Sequence, residues 1–135
     1  MGIQLGMVVL DVQDIQRSIA FYRLLGLEVP DPFPGRPVTV HRMDSGVSIV
    51  IGEGLGAGSD PDWARPASGY QVFLEFFVGG DAAVDAEWEK LTAAGYHGRS
   101  APAKGAGPYG ALIDDPDGNV ILISSDVGAD PGAAI

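Results

Sequence analysis

Apolar positions along this chain change their spacing twice, each time in the same order. Met7-Val8-Val9-Leu10-Asp11-Val12 is an apolar run of strand length. Asp14 follows as a helix N-cap, and Ile15, Ile19, Tyr22 and Leu25 then recur at helical spacing up to Gly26, a helix stop. The same order returns at Phe73-Leu74-Glu75-Phe76-Phe77-Val78, with Asp81 as the cap, Val84, Trp88 and Leu91 on one helical face, and Gly95 as the stop. After each helix come strand-like runs that close on a hairpin: residues 38–43, a turn at Asp44-Ser45-Gly46 and residues 47–51, then residues 110–113, a turn at Asp115-Pro116-Asp117-Gly118 and residues 119–123. A further short strand is expected in each half, near Glu28-Val29 and near His97–Arg99.

The pattern therefore predicts one α+β domain over residues 1–135, made of two βαβββ repeats. The first half covers 5–53 and the second 69–126, joined by a Gly/Pro-rich linker at 54–68 and followed by a flexible tail at 127–135. A sheet with one helix has only one face covered, so two such units are expected to curve their mixed sheets around a central cavity. Strand alternation assigns the side chains that would face it. If Val8, Leu10 and Val12 face the first helix, Met7, Val9 and Asp11 face the cavity; likewise Phe73, Glu75 and Phe77 face it from the second half, with Val120, Leu122 and Ser124 from the last strand.

Composition narrows the function classes. With 18 acidic and 8 basic residues the formal net charge is −10, which opposes binding to nucleic acid or to anionic membranes. There is no cysteine, so no disulfide and no thiolate metal site. No leader-like or membrane-spanning run occurs, and a cytoplasmic location is the expectation. The two histidines, His41 and His97, are scattered; His41 alternates within a strand and is a candidate for the cavity wall.

The apolar strand, Asp14, Arg17-Ser18, Phe21-Tyr22 and Leu25-Gly26, followed far downstream by Tyr109-Gly110 and Asp115-Pro116-Asp117-Gly118-Asn119, resembles the two half-signatures of the glyoxalase/bleomycin resistance/dioxygenase (vicinal oxygen chelate) superfamily. The resemblance spans about Leu5 to Ser125. It implies the glyoxalase-like fold and, in metal-dependent members, a His, Gln or Glu near the start of the first strand of each half and a Glu three positions after the Asn of the second motif. Here those positions are Met7, Phe73 and Leu122, and the matching first-half position, near Val50, is apolar too. None suits a divalent ion, which needs several N or O donors. No metal and no cofactor are expected.

With the metal ligands missing, the resemblance points to the bleomycin resistance-like members, which sequester a molecule without transforming it. The alternative is a glyoxalase-like lyase or extradiol-type dioxygenase of the same superfamily. The expected ligand-binding set is Met7, Val9, His41, Phe73, Glu75, Phe77, Tyr109, Leu122 and Trp63, with Tyr109 and Trp63 available to stack on a planar ligand. Glu75 stands out as an acid flanked by two aromatics. It is read either as a structural acid, with Arg42, Arg36 or Tyr109 as partner, or as the group that recognises a cationic ligand. The expected partners are a small molecule and a second copy of the chain, as a homodimer.

Overall fold

The computed structural model describes residues 2–66, 72–105 and 107–127. The chain divides into two compact units, Met1–Ala67 and Ser68–Ile135. In the first, β1 (Met7–Val12) leads into α1 (Ile15–Leu25), then β2 (Val38–Arg42), β3 (Ser48–Glu53) and a short α2 (Leu55–Ser59). The second contains β4 (Phe73–Gly79), α3 (Asp81–Ala93), β5 (Gly98–Lys104), β6 (Tyr109–Asp114) and β7 (Val120–Ser125). Both sheets are mixed and open. The first has the order β1-β3-β2, with β1 parallel and β2 antiparallel to β3; the second has the order β4-β7-β6-β5, with only β4 and β7 parallel. The α+β class is thus as the sequence predicts. No helix among the described residues is long and apolar enough to cross a membrane.

Local chemistry explains the helix ends. The Asp14 carboxylate accepts from the Gln16 and Arg17 amides at 3.0 and 3.2 Å, and Glu53, at the end of β3, takes the Ile15 amide at 2.9 Å. At the other end Gly26 adopts φ 118°, so that Leu27 N–H reaches the Tyr22 carbonyl and Gly26 N–H that of Arg23, the paired bonds of a Schellman stop. α3 ends the same way: Gly95 has φ 97°, with Tyr96 N–H on the Leu91 carbonyl and Gly95 N–H on that of Thr92. Its start differs from expectation. The cap residue is Gly80, without a side-chain bond, and Asp81 lies in the first turn, where its charge complements the helix dipole.

The expected strand near Glu28-Val29 is absent, so the first half is βαββ rather than βαβββ. Pro30, Pro32 and Pro34 follow closely, and each removes the amide a ladder would need. Side chains hold this segment instead: Arg23 Nε donates to the Val29 carbonyl at 2.9 Å and Thr39 Oγ1 to that of Pro30 at 2.8 Å. The second half does form its extra strand, β5, whose register with β6 shifts between Ser100 and Ala103, where Pro102 stands. The linker also differs, since α2 and the turn after it fold within the expected 54–68 segment. Residues 67–71 and the tail from 128 lie outside the described residues.

Alternation then separates a helix-covered face from an open one in each sheet. Val12, Ile49 and Ile51 are buried with Ile15, Ile19, Tyr22 and Leu25 of α1, whereas Met7 and Val9 are more than half exposed. In the second unit Phe76, Ile121, Ile123 and Ile113 are buried with Val84 and Leu91 of α3, whereas Phe73 and Phe77 are more than half exposed. Trp88 of α3 is half-buried; its ring lies so close to Gly98 that an added Cβ there would come within 2.2 Å of it. The Asp115-Pro116-Asp117-Gly118-Asn119 turn closes the β6–β7 hairpin. Its buried Asp115 carboxylate accepts from the Asp117 and Asn119 amides at 2.9 and 2.8 Å and from Asn119 Nδ2 at 2.8 Å, while Gly118 takes φ 84°. The Asp115 carboxylate thus serves the turn.

Candidate functional site

The open face of the second sheet is assembled by register. Glu75 pairs with Leu122 and Phe77 with Ser124 across β4 and β7; Leu112 pairs with Leu122 and Gly110 with Ser124 across β6 and β7. Paired residues share a face, so these side chains stand together with Phe73 and, from β5, Ser100. All of them but Phe77 line a cavity of about 270 Å³, which Gly105, Gly107 and Pro108 border at one side, with Lys104 Nζ donating to the Gly107 carbonyl at 2.5 Å. Gly110 permits the close packing at its floor, because a Cβ there would lie 2.9 Å from the Ile123 carbonyl oxygen and 3.2 Å from Leu122 Cδ1.

Within this apolar surround two polar groups meet. Ser124 Oγ donates to Glu75 Oε2 at 2.8 Å, fixing the carboxylate from one side and leaving its second oxygen for another donor. Ser124 is buried and Glu75 is exposed. The acid is therefore a solvated charge positioned by a buried hydroxyl, not a buried ion waiting for a counter-ion. Ser124 is a part of the site that alternation already points to, two residues beyond Leu122 on the same face.

The sequence-derived set separates into groups. Phe73, Glu75 and Leu122 line one cavity, and Phe77 lies on the same sheet face. Met7 and Val9 share the open face of the first sheet, with Val50 opposite Val9. Three residues lie apart from that cavity. His41 pairs with Ile49, which pairs with Val8, so it lies on the helix-covered side of the first sheet, beside the end of α1, in a cavity of about 400 Å³ with Leu27 and Glu28. Trp63 packs within its own unit, against Gly56, with the Arg65 guanidinium 5.5 Å from its ring centre. Tyr109 is one residue out of phase with Gly110 and turns to α3, where its hydroxyl donates to Asp85 Oδ1 at 2.5 Å.

The donor set does not fit a divalent metal. Met7 and Val50 in the first unit, and Phe73 and Leu122 in the second, occupy matching places on the two open faces, and they offer only hydrocarbon and one thioether. Beside the latter pair stand one carboxylate and one hydroxyl, already bonded to each other. A borderline ion such as zinc takes at least three protein donors. Among the described residues no three or more His, Asp or Glu side chains gather around a common point.

A family model described as Glyoxalase/Bleomycin resistance protein/Dioxygenase superfamily matches residues 4–123. No curated protein matches the chain by sequence. Among solved structures, a glyoxalase/bleomycin resistance protein/dioxygenase family enzyme from Burkholderia phytofirmans PsJN superposes with a TM-score of 0.77 at 23% identity, over 91% of this chain and 98% of that one. A glyoxalase-related enzyme from Fulvimarina pelagi gives 0.76 at 21% identity, over 92% and 88%. A lactoylglutathione lyase from Agrobacterium tumefaciens gives 0.65 at 20% identity, over 91% and 93%. These likenesses show a shared fold.

The Tyr109–Asp85 bond has a measurable consequence. It holds the Tyr109 pKa above the ordinary 10.0, first because the hydrogen bond needs the phenolic proton, then through desolvation and the charges of Asp85 and Asp81. A folded-state pKa above the unfolded value means that the stabilising contribution is present below about pH 10 and is lost as pH rises through the folded pKa. Isotope-labelled tyrosine NMR, assigned with Tyr109→Phe, is expected to show Tyr109 titrating above a free tyrosine, and Asp85→Asn to bring it back towards that value. A Tyr109 midpoint at the free-tyrosine value in the native protein would remove the bond from the account.

Proposed function

We propose that this chain, which belongs to the Glyoxalase/Bleomycin resistance protein/Dioxygenase superfamily, binds a small, planar, cationic molecule of antibiotic type and does not transform it. The observation that carries the reading is the Glu75–Ser124 pair at the edge of an apolar cavity, in a fold whose metal-ligand positions hold Met7, Val50, Phe73 and Leu122. A carboxylate set among apolar walls attracts a cation and cannot be matched by a neutral isostere. Phe73 supplies a ring face for stacking or for a cation–π contact. The net charge of −10 draws cations towards the surface at long range. A lyase or dioxygenase reading would need a metal, and the donors for one are missing from these positions.

The same proposal takes the protein as a cytoplasmic homodimer about a two-fold axis, with neither nucleic acid nor membrane as partner. Its support is the set of apolar side chains, Met7, Val9, Phe73 and Phe77, left more than half exposed in the single chain. Sedimentation at micromolar concentration checks this part, and a species with the mass of one chain would count against it.

Binding is tested with ethidium as a planar monocation and with bleomycin, by titration against the native protein and Glu75→Gln. Loss of the charge-assisted contact, worth roughly 1.5–3 kcal/mol, is expected to weaken binding about 10- to 100-fold. The thermal midpoint should scarcely move, because Glu75 is exposed. A sharply lowered midpoint with affinity intact would make Glu75 a structural acid. If neither changes, or neither probe binds, the cavity is not the site proposed.

A further inference from the structure

The first unit's open face differs from the second's at one end, where the chain folds back on it. Gly52 of β3 pairs with Asp11 of β1, the place that Ser124 and Phe77 hold in the second sheet. Leu55, the first residue of α2, packs onto Gly52 so closely that a Cβ there would come within 2.8 Å of Leu55 Cδ1 and 3.1 Å of Val38 Cγ2. Gly56 N–H then donates to Asp11 Oδ2 at 2.6 Å. Farther along, Arg65 places Nη2 3.0 Å from Asp11 Oδ1 and Nη1 2.9 Å from the Asp11 carbonyl oxygen, and its guanidinium lies 5.5 Å from the centre of the Trp63 ring. That ring rests on Gly56, where an added Cβ would be 2.4 Å from Trp63 Cδ2.

The helix at the start of this segment supplies little order of its own. α2 is five residues long, contains Gly56 and Gly58, buries none of its side chains and starts without a side-chain cap. Helix nucleation is unfavourable and glycine adds to the entropy lost on ordering, so a segment of this kind does not persist by its own propensity. Asp11 reaches both ends of the segment at once, its carboxylate oxygens accepting from Gly56 N–H and Arg65 Nη2 and its carbonyl from Arg65 Nη1. The Asp11 and Arg65 side chains are 14% and 27% exposed, so the pair is only partly screened by solvent.

We propose that residues 54–66 form a displaceable strap, latched by Asp11, which covers the Gly52–Val38 end of the first sheet's open face when docked and bares it when released. Release is a local opening of the strap with the three-stranded sheet intact. The apolar surface so uncovered, Val38 with the flat patch over Gly52, extends the exposed strip of Met7 and Val9 along the same face. The strap belongs to the first unit, whereas the residues that line the Glu75 cavity belong to the second.

Amide hydrogen exchange on the full chain tests it, read residue by residue by NMR. In the native protein the amides of Gly58, Asp60 and Trp63, each bonded within the strap, are expected to exchange at least about tenfold faster than those of Ile49 and Ile51 in β3. Asp11→Asn should speed the strap amides by a further factor of about ten and shift the Trp63 indole N–H signal, with the β3 rates unchanged. Arg65→Gln should do the same. Strap amides that exchange at the β3 rate in the native protein would show opening only by global unfolding and overturn the proposal, whether or not the variants fold. Variants that fold and leave the strap rates unaltered would overturn it equally.

Discussion

Among the described residues each sheet has one long helix, α1 or α3, on one of its two faces, and most of what distinguishes the molecule follows from that one-sided cover. Period-two alternation commits half of each strand's side chains to the helix and the other half to the opposite side. On the covered side the choice is constrained: Ile, Val, Leu, Phe and Tyr dominate it, and most of them become almost wholly buried. On the open side the same backbone is free to display whatever function requires, so the two halves can share an architecture and diverge in chemistry.

The divergence is visible at paired positions. Val9 opposite Val50 in the first sheet becomes Glu75 opposite Leu122 in the second; Asp11 opposite Gly52 becomes Phe77 opposite Ser124. On these paired strands each open face thus carries an acid beside apolar neighbours, Asp11 or Glu75, one pair apart along the strand. In the first unit the acid is consumed by the chain itself, holding Gly56 and Arg65. In the second it is oriented by a buried serine and left exposed beside a cavity. Of the two, only the second presents a carboxylate oxygen towards a space large enough for a small ligand.

Much of this was legible in the residues. The strands with both helix stops, the Asp14 cap and the parity that exposes Met7, Val9, Phe73, Glu75 and Phe77 all follow from spacing, because alternation and 3.6-residue periodicity leave little choice once one face must be buried. What spacing cannot convey is pairing across strands. Spacing leaves the face of His41 open, because the phase of β2 is fixed only by its register with β3. Tyr109 could have been corrected from sequence alone, since Gly110 and Leu112 share the open face and an adjacent residue must point away. The strand expected near Val29 failed against its following prolines. The linker hid α2, since a run of glycines gives no propensity for a helix that tertiary bonds to Asp11 create.

In the proposed function the open face works through a carboxylate and apolar walls rather than through a bound metal, and metal content distinguishes the two. Protein purified without chelator, incubated with zinc, nickel, iron(II) or manganese and then desalted, is predicted to retain far less than one ion per chain, because Met7, Val50, Phe73 and Leu122 provide no hard or borderline donors. One tightly held ion per chain, lost on Glu75→Gln, would contradict the account and return the protein to the metal-dependent enzymes of its superfamily.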